Sequence, residues 1–275
     1  MALLDILESQ NPSEEVVRFV TGVNAGYQYW KGELQPENID SKLFTHLFAA
    51  FADVGINTST GTYELIFPSG YETQFQTFAE AVKKNNSDIK AILSIGGDID
   101  PSVFATIASQ RTTRDAFIAI SIDVATRFKY DGISLNWQYP NTTNDGTNLD
   151  ALVTEWRTAV KEDAPELLLT AAVYYSPEYY PIEAIKNSLD WINVVAYDLK
   201  TPLPLSSANS TVPPAPWYNP NLSPQIICVE DVVNAWISTA GVSPSKLVLG
   251  LPFHGRSWVL ETMKYYHWLM ELRLK

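Results

Sequence analysis

Short apolar runs alternate along this chain with stretches whose apolar residues recur at helical spacing. The runs Val17–Val23, Thr45–Ala52, Ile89–Ile95, Gly132–Gln138, Leu167–Val173, Trp191–Tyr197 and Leu247–Leu251 are short and flanked by turn residues, which predicts strands. Between them, Phe117, Ile120, Val124 and Phe128 fall on one face of a predicted helix over Thr113–Phe128. Leu149, Leu152, Val153, Trp156 and Val160 do the same within Thr147–Ala164. Val232, Val233, Trp236 and Ile237 repeat the pattern before Gly241, which suits a helix C-cap.

Strands that alternate with helices predict right-handed βαβ units and a parallel sheet, hence an α/β fold. Seven units are many for a small doubly wound sheet and one short of a TIM (β/α)8 barrel. The doubly wound alternative needs a glycine-rich phosphate loop, and Gly96-Gly97 after Ser94-Ile95 does not fit G-x-G-x-x-G. The 275 residues fit one barrel domain, and 46% hydrophobic content supplies its core. Residues 17–260 are assigned to the barrel, 1–16 to an N-terminal extension and 261–275 to a tail.

A formal net charge of −12 without any Lys/Arg cluster argues against a nucleic-acid partner. No stretch approaches the length of a membrane span. The segment Met1–Glu8 lacks a basic start and is interrupted by Asp5 and Glu8, so it does not read as a secretory leader. Cys228 is the lone cysteine, which rules out an intramolecular disulfide and suits a small partly buried residue. His46, His254 and His267 show no metal-ligand spacing, and no cofactor is expected. Tripeptides starting at Asn57, Asn85, Asn141, Asn209 and Asn221 fit the N-glycosylation pattern, which Asn- and Ser-rich loops also produce by chance.

The most informative segment is Asp131-Gly-Ile-Ser-Leu-Asn-Trp-Gln-Tyr-Pro140. Side chains alternate along a strand, so Ile133, Leu135 and Trp137 face one way and Ser134, Asn136 and Gln138 the other. A barrel strand is ordinarily apolar on both faces. Three neutral hydrogen-bonding groups in one ladder need partners, either a polar ligand or an internal network.

This segment resembles the D-G-x-D-x-D-x-E signature of glycoside hydrolase family 18, in the form found in plant class V chitinases. Further resemblance lies in Leu43–Asp53, in Leu93-Ser-Ile-Gly-Gly97, in Glu155-Trp156-Arg157, in Val195-Ala-Tyr-Asp198 and in Leu249-Gly-Leu-Pro-Phe253. The resemblance runs in order over roughly residues 20–260. It implies a family 18 barrel in which the signature Glu protonates the glycosidic oxygen while the substrate's N-acetyl carbonyl acts as nucleophile. The Asp two residues earlier orients that group. Here Gln138 stands at the acid position, and Asn136 and Ser134 at the two inward Asp positions. Only Asp131 keeps its charge, in a place whose family role is structural. An amide cannot transfer a proton at neutral pH, so acid catalysis should vanish.

By the same resemblance Tyr27, Phe51, Tyr197 and Asp198 would line the subsite for an N-acetyl sugar, with core packing the alternative for Tyr27 and Phe51. Trp217-Tyr218, in the Pro-rich loop Thr201–Gln225, either stack on a sugar or anchor the loop to the rim. His254 and Arg256 stand where plant relatives have tyrosines. Class V relatives continue with an inserted α+β domain and an eighth barrel strand, which Glu261–Lys275 does not resemble. The first and seventh barrel strands are therefore expected to present unpaired edges, with marginal stability. The family is usually secreted or vacuolar. The expected partners are chitin or N-acetylglucosamine oligosaccharides, bound without turnover. Two alternatives stand beside this: an active chitinase with Asp198 as substitute acid, and a storage or glycosidase-inhibitor protein.

Overall fold

The computed structural model describes the backbone of residues 24–28 and, in full, residues 35–56, 62–97, 99–199, 214–218 and 227–252. The predicted first strand, Val17–Val23, lies outside them, as do His254, Arg256, His267, the segment 1–16 and the tail 261–275. A strand does begin directly after that prediction, β1 (Asn24–Gln28).

The chain continues through β2 (His46–Ile56), β3 (Tyr63–Ile66), α1 (Glu72–Lys83), β4 (Lys90–Gly96), α2 (Pro101–Ser109), α3 (Arg111–Arg127) and β5 (Gly132–Asn136). It goes on through α4 (Thr143–Asp163), β6 (Leu168–Val173), α5 (Ile182–Ser188), β7 (Trp191–Val194), α6 (Val229–Asn234) and β8 (Leu247–Leu249). The sheet order is β1-β2-β4-β5-β6-β7-β8, every neighbour parallel, as helical crossovers demand. Among the described residues β1 and β8 each pair on one side. The small strand β3 is an antiparallel addition, pairing Tyr63–Ile66 with the far end of β2. It explains why β2 runs four residues past the predicted Ala52.

The sheet has two faces with different chemistry. Its outer face, with Ile133, Leu135, Leu169 and Val173, packs under helices that contribute Phe117, Leu149, Leu152, Val153 and Trp156. Amphipathic spacing on α3 and α4 put those residues on one stripe, and burial of that stripe drives their docking. The inner face begins with an apolar floor of Phe48, Ile92 and Trp191, with Leu168 and Val248 against it. Gly132 fits this floor because a Cβ there would sit 2.7 Å from Leu168 and 2.8 Å from Ile92. One tier higher the interior turns polar, with Ser94, Ser134 and Thr170 side by side on β4, β5 and β6. All three are buried, and among the described residues the Thr170 hydroxyl has no hydrogen-bond partner.

Glu155-Trp156-Arg157 holds the outer layer together. Glu155 takes two hydrogen bonds from Arg114 on α3, at 2.7 and 2.8 Å, while Arg157 reaches Asp190 at the entry to β7 at 2.7 Å. Trp156 between them is fully buried. Gly241 ends the helical stretch that begins with α6, at φ +72°, its N–H donating to the Ile237 carbonyl, which is the capping role its place after an amphipathic run predicts.

Candidate functional site

The polar ladder of β5 lies on the face opposite Ile133, Leu135 and Trp137, as alternation requires. Ser134 and Asn136 are buried, and Gln138, just past the strand's end, is half-buried. The Gln138 Nε2 donates to Asn136 Oδ1 at 3.1 Å, so the upper two rungs form an amide pair. That contact uses one donor hydrogen and one acceptor, leaving further N–H groups and carbonyl lone pairs on both side chains.

Two glycines bring β4 against this pair. The Gly97 N–H donates to the Asn136 backbone carbonyl at 2.9 Å. Gly96 and Gly97 sit at φ +114° and +88°, conformations that disfavour any side chain. A Cβ at Gly96 would overlap the Asn136 carbonyl, and one at Gly97 would come 2.6 Å from the Phe51 ring. Phe51, half-buried, therefore lies on the Gly97 backbone at the same end of the barrel as the amide pair.

Beyond Gln138 the strand ends feed a strip of tyrosines. Tyr139 packs against Tyr174 with centroids 4.4 Å apart and the rings tilted by 41°, and Tyr174 against Tyr175 at 4.1 Å and 37°. Tyr174 is held by its backbone: its N–H donates to the Tyr180 phenol at 2.9 Å, and its carbonyl accepts from the Trp236 indole at 3.0 Å. Burial, then the neighbouring Tyr197 and Asp198, push the Tyr139 phenol up to about 12. Burial also raises Tyr197, with Asp198 adding to it. Tyr139 follows β5, and Tyr197 and Asp198 follow β7, near enough for their charges to act on one another. The phenols stay protonated at neutral pH, able both to donate and to accept. Tyr197 rests on Gly250, where a Cβ would be 3.0 Å from its ring, and Asp198 turns the chain at φ +51°.

The opposite end of β5 differs. Asp131 accepts the Ala91 N–H at 2.8 Å and pairs with Lys83 at 2.7 Å and Lys90 at 3.9 Å. Its backbone carbonyl accepts from Leu168. One residue thus ties β4, β5, β6 and α1 at the floor of the barrel, far from the amide pair.

The structure joins Gln138 to Asn136, brings Phe51 to them through Gly97, and sets Tyr197 and Asp198 near Tyr139, the residue after Gln138, with Ser134 one tier below. Tyr27 lies on β1 opposite Ala49, two residues before Phe51 along β2, and its side chain is outside what is described. Among the described residues no hydrogen bond or ring contact joins the Trp217 side chain to the cluster. It is 48% exposed, and its carbonyl accepts from the Glu230 N–H in the first turn of α6, with Pro216 bonded to Val229 in the same way. The rest of the loop Thr201–Gln225 outside 214–218 is not described. Sequence reasoning missed Tyr139, Tyr174, Ser94 and Thr170. Tyr139 follows the ladder directly and offered a signal; Thr170 was hidden in an apolar run.

Cys228 is buried at the start of α6, where its thiol contacts Asp231 at 3.1 Å. His46 sits at the floor, edge-on to Trp191 at 4.9 Å, and burial lowers its pKa. Among the described residues no three His, Cys, Asp or Glu side chains cluster as a metal ion would require, and no helix is long and apolar enough to cross a membrane.

Comparison with known proteins accounts for this architecture. The model for glycosyl hydrolases family 18 matches residues 24–266. A class V chitinase of Arabidopsis thaliana is 40% identical over 251 residues, covering 87% of this chain and 63% of that protein. Nod factor hydrolase protein 1 of Medicago truncatula is 36% identical, covering 82% of this chain and 60% of its own length. The chain thus spans somewhat under two thirds of these relatives. Among solved structures, a mutant class V chitinase from Nicotiana tobaccum with a Glu exchanged for Gln, in complex with NAG4, superposes with a TM-score of 0.74 at 38% identity. It covers 84% of this chain and 66% of that one. A chitinase-like agglutinin from Robinia pseudoacacia superposes at 0.73 with 39% identity, covering 84% of this chain and 70% of its own. The parallel barrel, the glycine-closed mouth and these matches lead to one conclusion: the chain belongs to glycosyl hydrolase family 18.

Proposed function

We propose that this protein binds chitin or N-acetylglucosamine oligosaccharides at the mouth of its barrel without hydrolysing them. The observation that carries the reading is the amide pair of Gln138 and Asn136. Glycoside hydrolysis requires a group that hands a proton to the leaving oxygen, and general-acid help is worth ~10²–10⁴-fold. Gln138, at the acid position of the family signature, holds no such proton. Asn136 and Ser134 supply no negative charge to oppose a developing cation. What remains suits a neutral polyhydroxylated ligand: amide donors and acceptors, protonated phenols and the flat Phe51 and Tyr197 rings. The tobacco relative with a Glu-to-Gln exchange, crystallised with NAG4, supports oligosaccharide binding by such a barrel, and the Robinia relative, a chitinase-like agglutinin, fits a binding role.

The alternative of an active chitinase would rest on Asp198, which among the described residues is the carboxylate acting on the tyrosine strip. Titration calorimetry with the N-acetylglucosamine tetramer, run beside a hydrolysis assay, separates the two. Binding without product is the expected result; product release by the unaltered chain would sink the reading. Neither binding nor product would leave the storage or inhibitor alternative. Restoring Gln138→Glu, Asn136→Asp and Ser134→Asp together should return measurable hydrolysis in a variant that folds.

A further inference from the structure

Three residues past Gln138 the chain reads Asn141-Thr142-Thr143, one of the tripeptides that fit asparagine glycosylation. All three side chains are exposed. Thr142 is extended, at φ −134° and ψ 158°, and serves as the N-cap of α4. Its hydroxyl accepts from the Asp145 N–H at 3.0 Å, while Asp145 takes the N–H groups of Asn141 and Thr142 at 3.1 Å each. This capping box fixes the backbone on both sides of Asn141. Gly146 anchors the same turn, since a Cβ there would meet the Tyr179 carbonyl at 2.7 Å. Among the described residues the Asn141 side-chain amide itself has no hydrogen-bond partner. It projects into solvent from a rigid base, on the loop that leaves the C-terminal end of β5.

We propose that Asn141 is a glycosylation site, carrying an asparagine-linked oligosaccharide at the rim of the barrel mouth. In the transfer, Asn141 Nδ2 attacks the anomeric carbon of a polyprenyl-diphosphate-linked oligosaccharide. The new N–C bond replaces the C–O bond to the diphosphate, which leaves, and the amide gives up one proton to a base on the transferase. No electrons are exchanged with any other reagent. Modification needs a reachable amide and a hydroxyl two residues on, which Thr143 supplies. The pattern at Asn85 provides a contrast within the same molecule. Asn85 is also exposed, but it lies ahead of β4 at the floor end, and the next side chain, Asn86, is tied to the Ser41 carbonyl at 3.0 Å.

The test is peptide mass spectrometry on the full chain, secreted from plant cells behind a cleavable leader. The expected result is a hexose and N-acetylhexosamine mass on the peptide containing Asn141. That mass should be absent in Asn141→Gln and Thr143→Ala and retained in Thr143→Ser. An unmodified Asn141 on molecules whose leader has been removed would overturn the proposal. Occupancy of Asn85 on those same molecules would show the failure to be specific to this site.

Discussion

The two ends of β5 are built from the same kind of residue pattern but do different work. At the floor, Asp131 is a charged side chain with every oxygen engaged: a backbone N–H from β4, an ion pair with Lys83 and a longer one with Lys90. At the mouth, Gln138 is neutral, half-buried and joined to a single described partner, Asn136. A carboxylate that bridges strands stabilises the fold wherever the chain is used. At the mouth, Gln138 ties only to Asn136 on the strand it follows, so its contribution to the fold is one described hydrogen bond. Charge is kept where it carries structure and is missing where the family signature would use it for chemistry.

The largest expected effect breaks this comparison at the floor. Asp131→Ala should cost about 3 kcal/mol, because it removes a charged acceptor and leaves the Ala91 N–H and Lys83 without it. Urea denaturation checks this, and a loss below ~1 kcal/mol would deny Asp131 its bridging role. At the mouth the consequence moves from stability to binding. Asn136→Ala should weaken tetramer binding about tenfold, or ~1.4 kcal/mol, in calorimetry. Gln138→Ala should shift folding stability by less than ~1 kcal/mol, since its side chain is half-exposed and makes one described hydrogen bond. Equal destabilisation by Asp131→Ala and Gln138→Ala would erase the distinction.

The smallest effect is read at high pH. The Tyr139 phenol has its pKa raised to about 12, against about 10 when unfolded. A raised folded-state pKa means the folded chain holds the proton more firmly. Its contribution is fully present below the unfolded value and is lost as pH rises from about 10 through about 12. Stability of Tyr139→Phe should therefore fall less steeply across that window, followed by denaturation at fixed urea.

How legible this was in the sequence depended on whether a feature is local. Six of the predicted strands and the helices over α3 and α4 follow from periodicity alone. The ladder of Ser134, Asn136 and Gln138 was visible because alternation fixes which side chains share a face. Strand β3 was missed because Tyr63–Ile66 is too short to show a period, and its pairing with β2 is a tertiary contact. The helices α1, α2 and α5 were missed as well; α2 and α5 are only nine and seven residues long. The polar tier completed by Ser94 and Thr170 could not be read, since register between strands forty residues apart is set by packing. Trp217 shows what a motif leaves open: an aromatic residue in a Pro-rich loop fits both a ligand contact and a loop anchor, and the backbone bond from Glu230 accounts for the anchor without engaging the side chain.

The tier of Ser94, Ser134 and Thr170 constrains what position 134 can hold. Each is buried, and none carries charge. Among the described residues the strand neighbours of position 134 are the hydroxyl side chains of Ser94 and Thr170, so a carboxylate placed there alone would gain no counter-charge from them, and burying an unpaired ion costs several kcal/mol. Against a total folding stability of about 5–15 kcal/mol, that single substitution would cost a large fraction of what the chain possesses. A charge in this tier would thus be easier to remove than to install, and the interior itself favours the neutral side chains it holds.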